Sequence, residues 1–292
     1  MTLISKLGYK PTKKANLIAP LKVISSDISI VIPVNNNQKG IDLFLSIFFN
    51  THGSKIYPRE IIIVDNNSNK PITIHKKFQI NGLEIILLKC SKIGPASARN
   101  LGLSCSKGDW ILFTDSDCIP CESWITGYID SMNGSIGYAG NVKAWGGDFL
   151  SKYYETQEIL VPLKVIYNET NISPEYLITA NALIWKPAIE KIGGFNEDIN
   201  IAAGEDIDLG WRLLELGNLS YAFNSLVFHN FDDGILGFVR RFSRYGKGNK
   251  VISKIYNIDL SPQRFNPNRR SFINQLLSKL QYICLLWGYI TH

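Results

Sequence analysis

The sequence predicts an α/β fold in which a mostly parallel central sheet is flanked by helices. Three observations carry this expectation. From Ile28 onward, short apolar runs alternate with helix-like stretches, the rhythm of successive βαβ units. The first such run, Ile28-Ser-Ile-Val-Ile-Pro-Val34, reads as a buried strand. The chain of 292 residues, 45% hydrophobic and 19% charged, has the composition of an ordinary globular protein able to bury a sizeable core. That length suits one large domain with a tail or an inserted subdomain better than two independent units.

The elements follow in order. Residues 1–27 mix Lys, Pro and short apolar runs without a clear period, and are expected to form an N-terminal arm lying on the domain. The strand at Ile28–Val34, an amphipathic helix near Gly40–Asn50 and a strand at Glu60–Asp65 make one βαβ unit. A third strand is expected at Glu84–Leu88, then a helix opening at Gly94-Pro95, then a fourth strand at Trp110–Thr114. Pro95 suits a first helical turn, where its missing N–H would have had no partner. After Asp117 the rhythm loosens, with strands at Tyr138–Lys143 and Leu183–Trp185. The long polar and aromatic stretch between them, Trp145–Tyr176, is expected to form a binding wall. A helix from Glu205 to Leu216 stops at Gly217, and a strand follows at Ser220–Phe228. The closing segment Ser271–Ile290 is interrupted by Asn274, Gln275, Ser278, Lys279 and Gln281. It therefore lacks the run of about 20 apolar residues that spans a bilayer, and reads as an amphipathic helix. Such a helix packs on the domain, pairs two chains in a homodimer, or lies on a membrane surface. The chain thus divides into an arm (1–27), an α/β domain (28–234) and a basic, helical C-terminal extension (235–292).

The formal net charge of +6 is unevenly spread. Phe238–Leu280 carries ten Lys and Arg against one acid, Asp259, which suits phosphates or an anionic membrane, though a solvated basic face has the same composition. The five cysteines, Cys90, Cys105, Cys118, Cys121 and Cys284, are odd in number and lack framework spacing. With no signal peptide at the start, a cytoplasmic location is expected, at the inner membrane face if the extension binds lipid. Cys118-Ile-Pro-Cys121 is a lone CxxC without a second pair, so neither a zinc nor a redox role is expected.

Asp115-Ser116-Asp117 directly follows the apolar run Trp110–Thr114. Two carboxylates are thereby placed at a strand end, where ligands of open α/β sheets collect. Such a pair suits a hard divalent cation, which binds one or two carboxylates together with substrate phosphates. Taken alone, the triplet is equally a solvated turn with a helix N-cap.

Five segments flank this triplet in a fixed order. Ile30-Val-Ile-Pro-Val-Asn35, Val64-Asp-Asn-Asn-Ser68 and Gly94-Pro-Ala-Ser-Ala-Arg-Asn-Leu-Gly102 precede Phe113-Thr-Asp-Ser-Asp117. Gly193-Gly-Phe-Asn-Glu197 and Gly204-Glu-Asp-Ile-Asp-Leu209 follow it. In order and spacing, from about Ile28 to Lys250, these resemble the family 2 glycosyltransferases of the GT-A fold, which are inverting and carry a DxD motif.

The resemblance implies a nucleotide-sugar half at about 28–120 and an acceptor half at about 121–234. It implies that Asp65 accepts a hydrogen bond from the nucleobase while the main chain at Pro33 and Val34 lines the same pocket. Asp115 and Asp117, with His229 completing the shell, would hold Mg²⁺ or Mn²⁺ on the donor diphosphate. Arg99 would neutralise a phosphate or reach the base. Asp206 would be the general base toward an acceptor hydroxyl, and Glu205 would orient the acceptor. A UDP-sugar is the favoured donor; the acceptor is a glycan, a lipid-linked or protein group, or a small molecule.

Plainer readings stay beside these. Asp65 sits in a strongly turn-forming Asp-Asn-Asn-Ser run, Arg99 could form a surface ion pair, and acids in a first helical turn are favoured by the helix dipole alone. Asp208 has a structural partner in Arg212 at i+4, and a lone His229 is more often structural. Asn181 either contacts a sugar or closes a turn. Arg240-Arg-Phe-Ser-Arg-Tyr-Gly-Lys-Gly248 has the composition of a mobile basic lid over a diphosphate.

The first motif ends in Pro-Val-Asn-Asn-Asn, where the family usually has an aromatic, and the acid and threonine that often trail the second motif are absent. Both departures bear on which base is bound. The Gln-x-x-Arg-Trp motif of processive synthases is missing, which points to transfer of one sugar at a time. A Rossmann dehydrogenase is disfavoured because no G-x-G-x-x-G follows the first strand. A sugar nucleotidyltransferase should show a Gly-rich basic loop where Asn35, Asn36 and Asn37 stand. A non-catalytic sugar-binding or partner-binding module is the remaining alternative, and nucleic acid is not an expected partner.

Overall fold

The structure, a computed structural model, describes residues 12–53, 56–79, 82–162, 164–168, 171–231 and 233–292. The expected N-terminal arm therefore lies partly outside the described residues. Its described part runs along the domain surface, with the Lys14 and Ala15 N–H groups donating to the Glu215 carbonyl and Ala19 N–H to the Gly134 carbonyl.

The domain opens with β1 (Ile28–Val34), α1 (Gln38–Thr51), β2 (Glu60–Asn66), β3 (Glu84–Cys90), α2 (Pro95–Cys105) and β4 (Trp110–Thr114). A short strand, β5 (Cys118–Pro120), and α3 (Trp124–Ile129) lead into β6 (Gly137–Trp145). The stretch read as an irregular wall contains α4 (Phe149–Thr156), β7 (Lys164–Asn168) and β8 (Asn171–Pro174). Next come β9 (Asn181–Trp185), α5 (Lys186–Lys191), α6 (Glu205–Leu214) and β10 (Leu219–Asn230). The extension forms α7 (Gly234–Tyr256) and α8 (Phe272–Ile290).

Eight strands form one sheet in the order β3-β2-β1-β4-β9-β6-β10-β5. The four strands from β3 to β4 are parallel, β9 runs antiparallel to both β4 and β6, and β10 is parallel to β6. Inserting the reversed β9 turns β6 and β10 back to the direction of β4. The carboxyl ends of β1, β4 and β10 therefore open on one edge, where α/β sheets place their ligands. Short β5 pairs antiparallel with β10 and sets Cys118 opposite His229.

Burial explains the runs. Every residue of β2 and β4 is buried, and β1 is buried except at Pro33, so near-continuous apolar sequence is required there. On one face α1 lays Phe44 and Phe48, with Phe44 edge-on to Trp124 at 5.8 Å between ring centroids. On α2, a side chain at Gly102 would meet Val31 at 2.4 Å, so glycine lets this helix lie directly on β1. Each large apolar side chain buried in this way contributes about 1.5–3 kcal/mol.

Residues 240–248 differ from expectation. They lie in the middle of the continuous helix α7 rather than in a mobile lid. Their glycines serve packing: a Cβ at Gly246 would lie 2.0 Å from the Leu285 carbonyl oxygen of α8, and one at Gly248 2.8 Å from the Ala203 carbonyl. Arg241 is buried, its guanidinium donating to the Tyr154 hydroxyl and to Asp233 and lying 4.8 Å from the Phe231 ring centroid. The basic composition of this stretch thus reflects one arginine fixed inside the fold as well as cations facing outward.

Candidate functional site

A cavity of about 450 Å³ opens at the shared strand edge. Its floor comes from Pro33 and Val34 at the end of β1 and from Asp115, Ser116 and Asp117 after β4. Glu205 and Asp206 of α6 supply a further part of its wall, and α7 adds Arg241, Arg244 and Tyr245. The sequence-predicted residues from both halves of the domain therefore meet in one place, with Asp65 and Asn181 as the two exceptions.

Arg99 is the centre of the charge arrangement. Held on the buried face of α2 and only 4% exposed, it donates from Nη2 to Asp115 Oδ1 at 2.9 Å and from Nη1 to Glu205 Oε1 at 2.8 Å. It is thus an ion-pair bridge inside the protein, tying Asp115 after β4 to Glu205 of α6. Burial pushes the Glu205 carboxyl up, while the Arg99 charge and hydrogen bond oppose that shift. Arg99 Nε and Glu205 Oε2 are buried and without a hydrogen-bond partner.

Asp206 occupies the first turn of α6, where Oδ1 accepts from the Ile207 N–H at 2.9 Å. Burial pushes its pKa up to about 8, the adjacent Glu205 charge adds to that, and Arg99 opposes it. A carboxyl poised near neutrality is suited to take up a proton. Gly204 starts the helix in a left-handed conformation at φ 93°, and a Cβ there would lie 3.0 Å from Ile252 of α7. Glycine at this position lets the acids approach the cavity while α6 stays against α7.

At the floor, Asp117 Oδ1 lies 3.4 Å from His229 Nε2. His229 Nδ1 is 3.1 Å from the Asn230 carbonyl oxygen, which can only accept, so Nδ1 carries the hydrogen in the neutral ring. Nε2 then turns a lone pair toward a carboxylate oxygen. Two acceptors facing one another are stabilised by a cation or proton shared between them, and a histidine whose other nitrogen donates to a carbonyl is the usual orientation of a metal ligand. Burial raises the Asp117 pKa, with His229 opposing and Asp115 adding to the shift. Cys118 Sγ completes a cluster with these two within 4.8 Å. Burial lifts the thiol well above its ordinary value, Sγ lies 3.6 Å from the Ala180 carbonyl, and soft sulfur is a poor ligand for a hard divalent cation. The remaining oxygen and nitrogen donors fit Mg²⁺ or Mn²⁺ bound together with a diphosphate.

Asp65 is placed otherwise. Its Oδ1 accepts from the Ser68 N–H at 3.0 Å and its Oδ2 from the Ile72 N–H at 3.1 Å, so it organises the loop after β2. Burial would raise its pKa, but the hydrogen bonds from Ser68 and Ile72 outweigh that and hold it below the ordinary value. Asn35 and Asn66 form the cavity wall nearby, with Asn35 Nδ2 donating to the Asn66 carbonyl at 2.7 Å.

The Asn181 side chain faces no sugar site, while its N–H donates to the Ile178 carbonyl at 3.1 Å and closes the turn at 178–181, the other of the two expectations. It is 1% exposed, its Oδ1 accepts from Trp124 Nε1 and the Tyr128 hydroxyl, and its Nδ2 donates to the Asn141 and Ser225 carbonyls. All four of its polar positions are used to join β9 to α3, β6 and β10. Conversely, Gln281 and Leu285 of α8 and Leu260 before it line the cavity. Their periodicity predicts a helix, but no motif in them announces which domain face the helix covers.

Comparison with known proteins bears on this arrangement. Residues 29–193 match the family model described as Glycosyl transferase family 2. A pre-mycofactocin glycosyltransferase of Mycobacterium tuberculosis is 28% identical over 229 residues, covering 75% of this chain and 46% of its own length. The chain thus spans about half the length of that relative. Among solved structures, S. aureus TarS in complex with UDP superimposes with a TM-score of 0.52 at 17% identity, covering 79% of this chain and 70% of that one. The mannosyltransferase PcManGT from Pyrobaculum calidifontis, in complex with GDP-Man and Mn²⁺, gives a TM-score of 0.55 at 14% identity, covering 96% and 76% respectively. These likenesses show a common fold, the GT-A arrangement expected from the sequence.

Proposed function

Because the chain belongs to glycosyl transferase family 2, we propose that it moves a single sugar from a nucleotide-diphosphate sugar, UDP-linked by preference, to an acceptor hydroxyl with inversion. The observation that carries this reading is the convergence of Asp115, Asp117, His229 and Asp206 on one cavity.

Asp117 and His229 would hold Mg²⁺ or Mn²⁺, with Asp115 nearer the ribose and metal-bound water. The cation, when bound, offsets charge developing on the departing diphosphate. Arg99 holds Asp115 and Glu205 in position through its two ion pairs and brings a positive charge to the cavity lining, where the departing diphosphate would develop charge. Pro33 and Val34 offer main-chain lining for the base. Each Asp65 oxygen accepts one loop N–H, which leaves acceptor capacity for a donor group of the nucleobase. Asp206 takes the proton from the acceptor hydroxyl as that oxygen attacks the anomeric carbon on the face opposite the leaving group, while Glu205 orients the acceptor. Backside attack from the α6 wall on a donor held at the floor gives inversion.

The experiment is to incubate the purified protein with UDP-, GDP- and dTDP-sugars and Mn²⁺ and to follow nucleoside diphosphate release. Release from at least one donor, abolished by Asp117→Ala, is expected. Absence of release and of binding for every donor, with Asp117→Ala indistinguishable from wild type, contradicts the reading.

A further inference from the structure

The outer face of α8 is apolar and open. Phe272, Leu276, Ile283, Trp287 and Ile290 fall on one stripe of the helix, with Phe272 77% and Trp287 66% exposed. The opposite face, through Leu277, Gln281, Cys284 and Gly288, is buried, and Gln281 reaches the catalytic cavity. Large apolar side chains contiguous in this way mark a surface that is covered in use.

A groove flanks one long edge of the stripe. It lies between residues 264–270 and α8, and Arg264, Arg270 and Lys279 line it together with Ser278 and Tyr282. The Arg264 guanidinium lies 5.8 Å from the Tyr282 ring centroid. Residues 260–292 contain Arg264, Arg269, Arg270 and Lys279 and no Asp or Glu. Cations of one sign therefore border the apolar stripe, without an acid in the same stretch to offset them.

We propose that this face is a docking surface for an anionic lipid bilayer, with α8 lying in the membrane plane, its stripe among the upper acyl chains and a lipid phosphate in the Arg264–Arg270–Lys279 groove. The charge pattern argues for this occupant. An apolar stripe edged by Lys and Arg is complementary to an anionic interface on both counts. A two-fold dimer through the same face would set these cations toward copies of themselves. Among the described residues no helix is long and apolar enough to cross a membrane, so the helix lies on the surface. Because the inner face of α8 borders the cavity, a docked bilayer lies about one helix diameter, roughly 10 Å, from the site.

The test is flotation of the full chain with vesicles of pure phosphatidylcholine and with vesicles of phosphatidylcholine and phosphatidylglycerol in equal parts. The wild type should float with the anionic vesicles and release from them at high salt. Arg264→Glu/Arg270→Glu/Lys279→Glu should lower the partition by roughly a hundredfold, since each cation near such a surface contributes roughly fivefold. Phe272→Ser/Trp287→Ser should lose flotation as well. Both variants should keep wild-type melting and nucleotide-sugar binding, which separates lost docking from lost folding or a lost donor site. Inorganic phosphate at the vesicles' phosphate concentration should not displace the protein. Flotation unchanged in either variant, complete displacement by inorganic phosphate, or a wild-type dimer in sedimentation that Phe272→Ser/Trp287→Ser dissociates would overturn the proposal.

Discussion

His229 Nε2 stands 3.4 Å from Asp117 Oδ1, two acceptors turned toward one another at the floor of the cavity. On the proposed reading a divalent cation resolves that opposition, and Cys118, although beside both, offers a soft sulfur that suits neither Mg²⁺ nor Mn²⁺. Chelation should therefore abolish nucleoside diphosphate release, and added Mn²⁺ or Mg²⁺ should restore it. Asp117→Ala should reduce activity by on the order of 10²–10³-fold and His229→Ala by about 10- to 100-fold, whereas Cys118→Ser should leave the metal dependence unchanged. Metal titrations of activity for the three variants check this.

Arg99 makes a second prediction, about stability. Its removal strands Glu205 as a buried carboxylate and leaves Asp115 without its cation. Arg99→Met should destabilise the fold by about 3–5 kcal/mol, the usual result of breaking one side of a buried pair. Arg99→Met/Glu205→Gln should recover part of that loss. Urea unfolding of the two variants and the wild type measures the coupling.

Asp206 predicts opposite effects on activity and stability. As a base it must be ionised, so kcat/KM should rise with pH and level off above about 8. Its folded-state pKa is raised above the ordinary value of 3.8, so the native protein binds more protons than the unfolded chain between those values. The stability it contributes is then fully present at acid pH and is lost as pH rises toward 8. Asp206→Asn cannot ionise, so its melting temperature should exceed that of the wild type by a margin that grows from acid to alkaline pH. Thermal melts of both proteins across that range give the sign.

The residues that meet in the cavity were legible in the sequence because their types and strand-end positions are what the proposed chemistry needs. Val34, Asp115 and Asp117 end buried apolar strands, and Glu205 and Asp206 begin an amphipathic helix, so pattern and motif agreed on them. The sequence did not disclose partners across space. Arg99 does not announce in the sequence that it stands between two acids, and Asn181 does not announce the four side-chain hydrogen bonds it makes while its N–H closes a turn. The short strand β5 and the reversed β9 were invisible as topology, since a strand's direction leaves no mark on its periodicity. Residues 240–248 were misread because glycine and arginine compose a mobile loop and a tightly crossed helix alike.

That crossing gives a fourth prediction. A Cβ at Gly288 would lie 1.9 Å from the Ser243 carbonyl oxygen, backbone that cannot move aside without displacing α7. Gly288→Val should therefore cost about 1–3 kcal/mol through overpacking and shift α8 away from the cavity, weakening donor binding. Gly147, where a side chain would meet nothing within 4 Å, supplies the control: Gly147→Val should leave donor binding unchanged. Calorimetric binding of a nucleotide sugar to both variants distinguishes the two sites.

The division of work between the cavity's floor and its α6 wall is tested most directly with Asp206→Asn. Its binding of a nucleotide sugar with Mn²⁺ and its rate of sugar transfer to acceptor should be measured on one preparation. The account predicts donor affinity within about twofold of wild type and a transfer rate reduced by roughly 10²–10⁴-fold, the range a positioned general base contributes. Transfer at the wild-type rate, or donor binding lost together with it, would contradict the assignment of Asp206 as the proton acceptor.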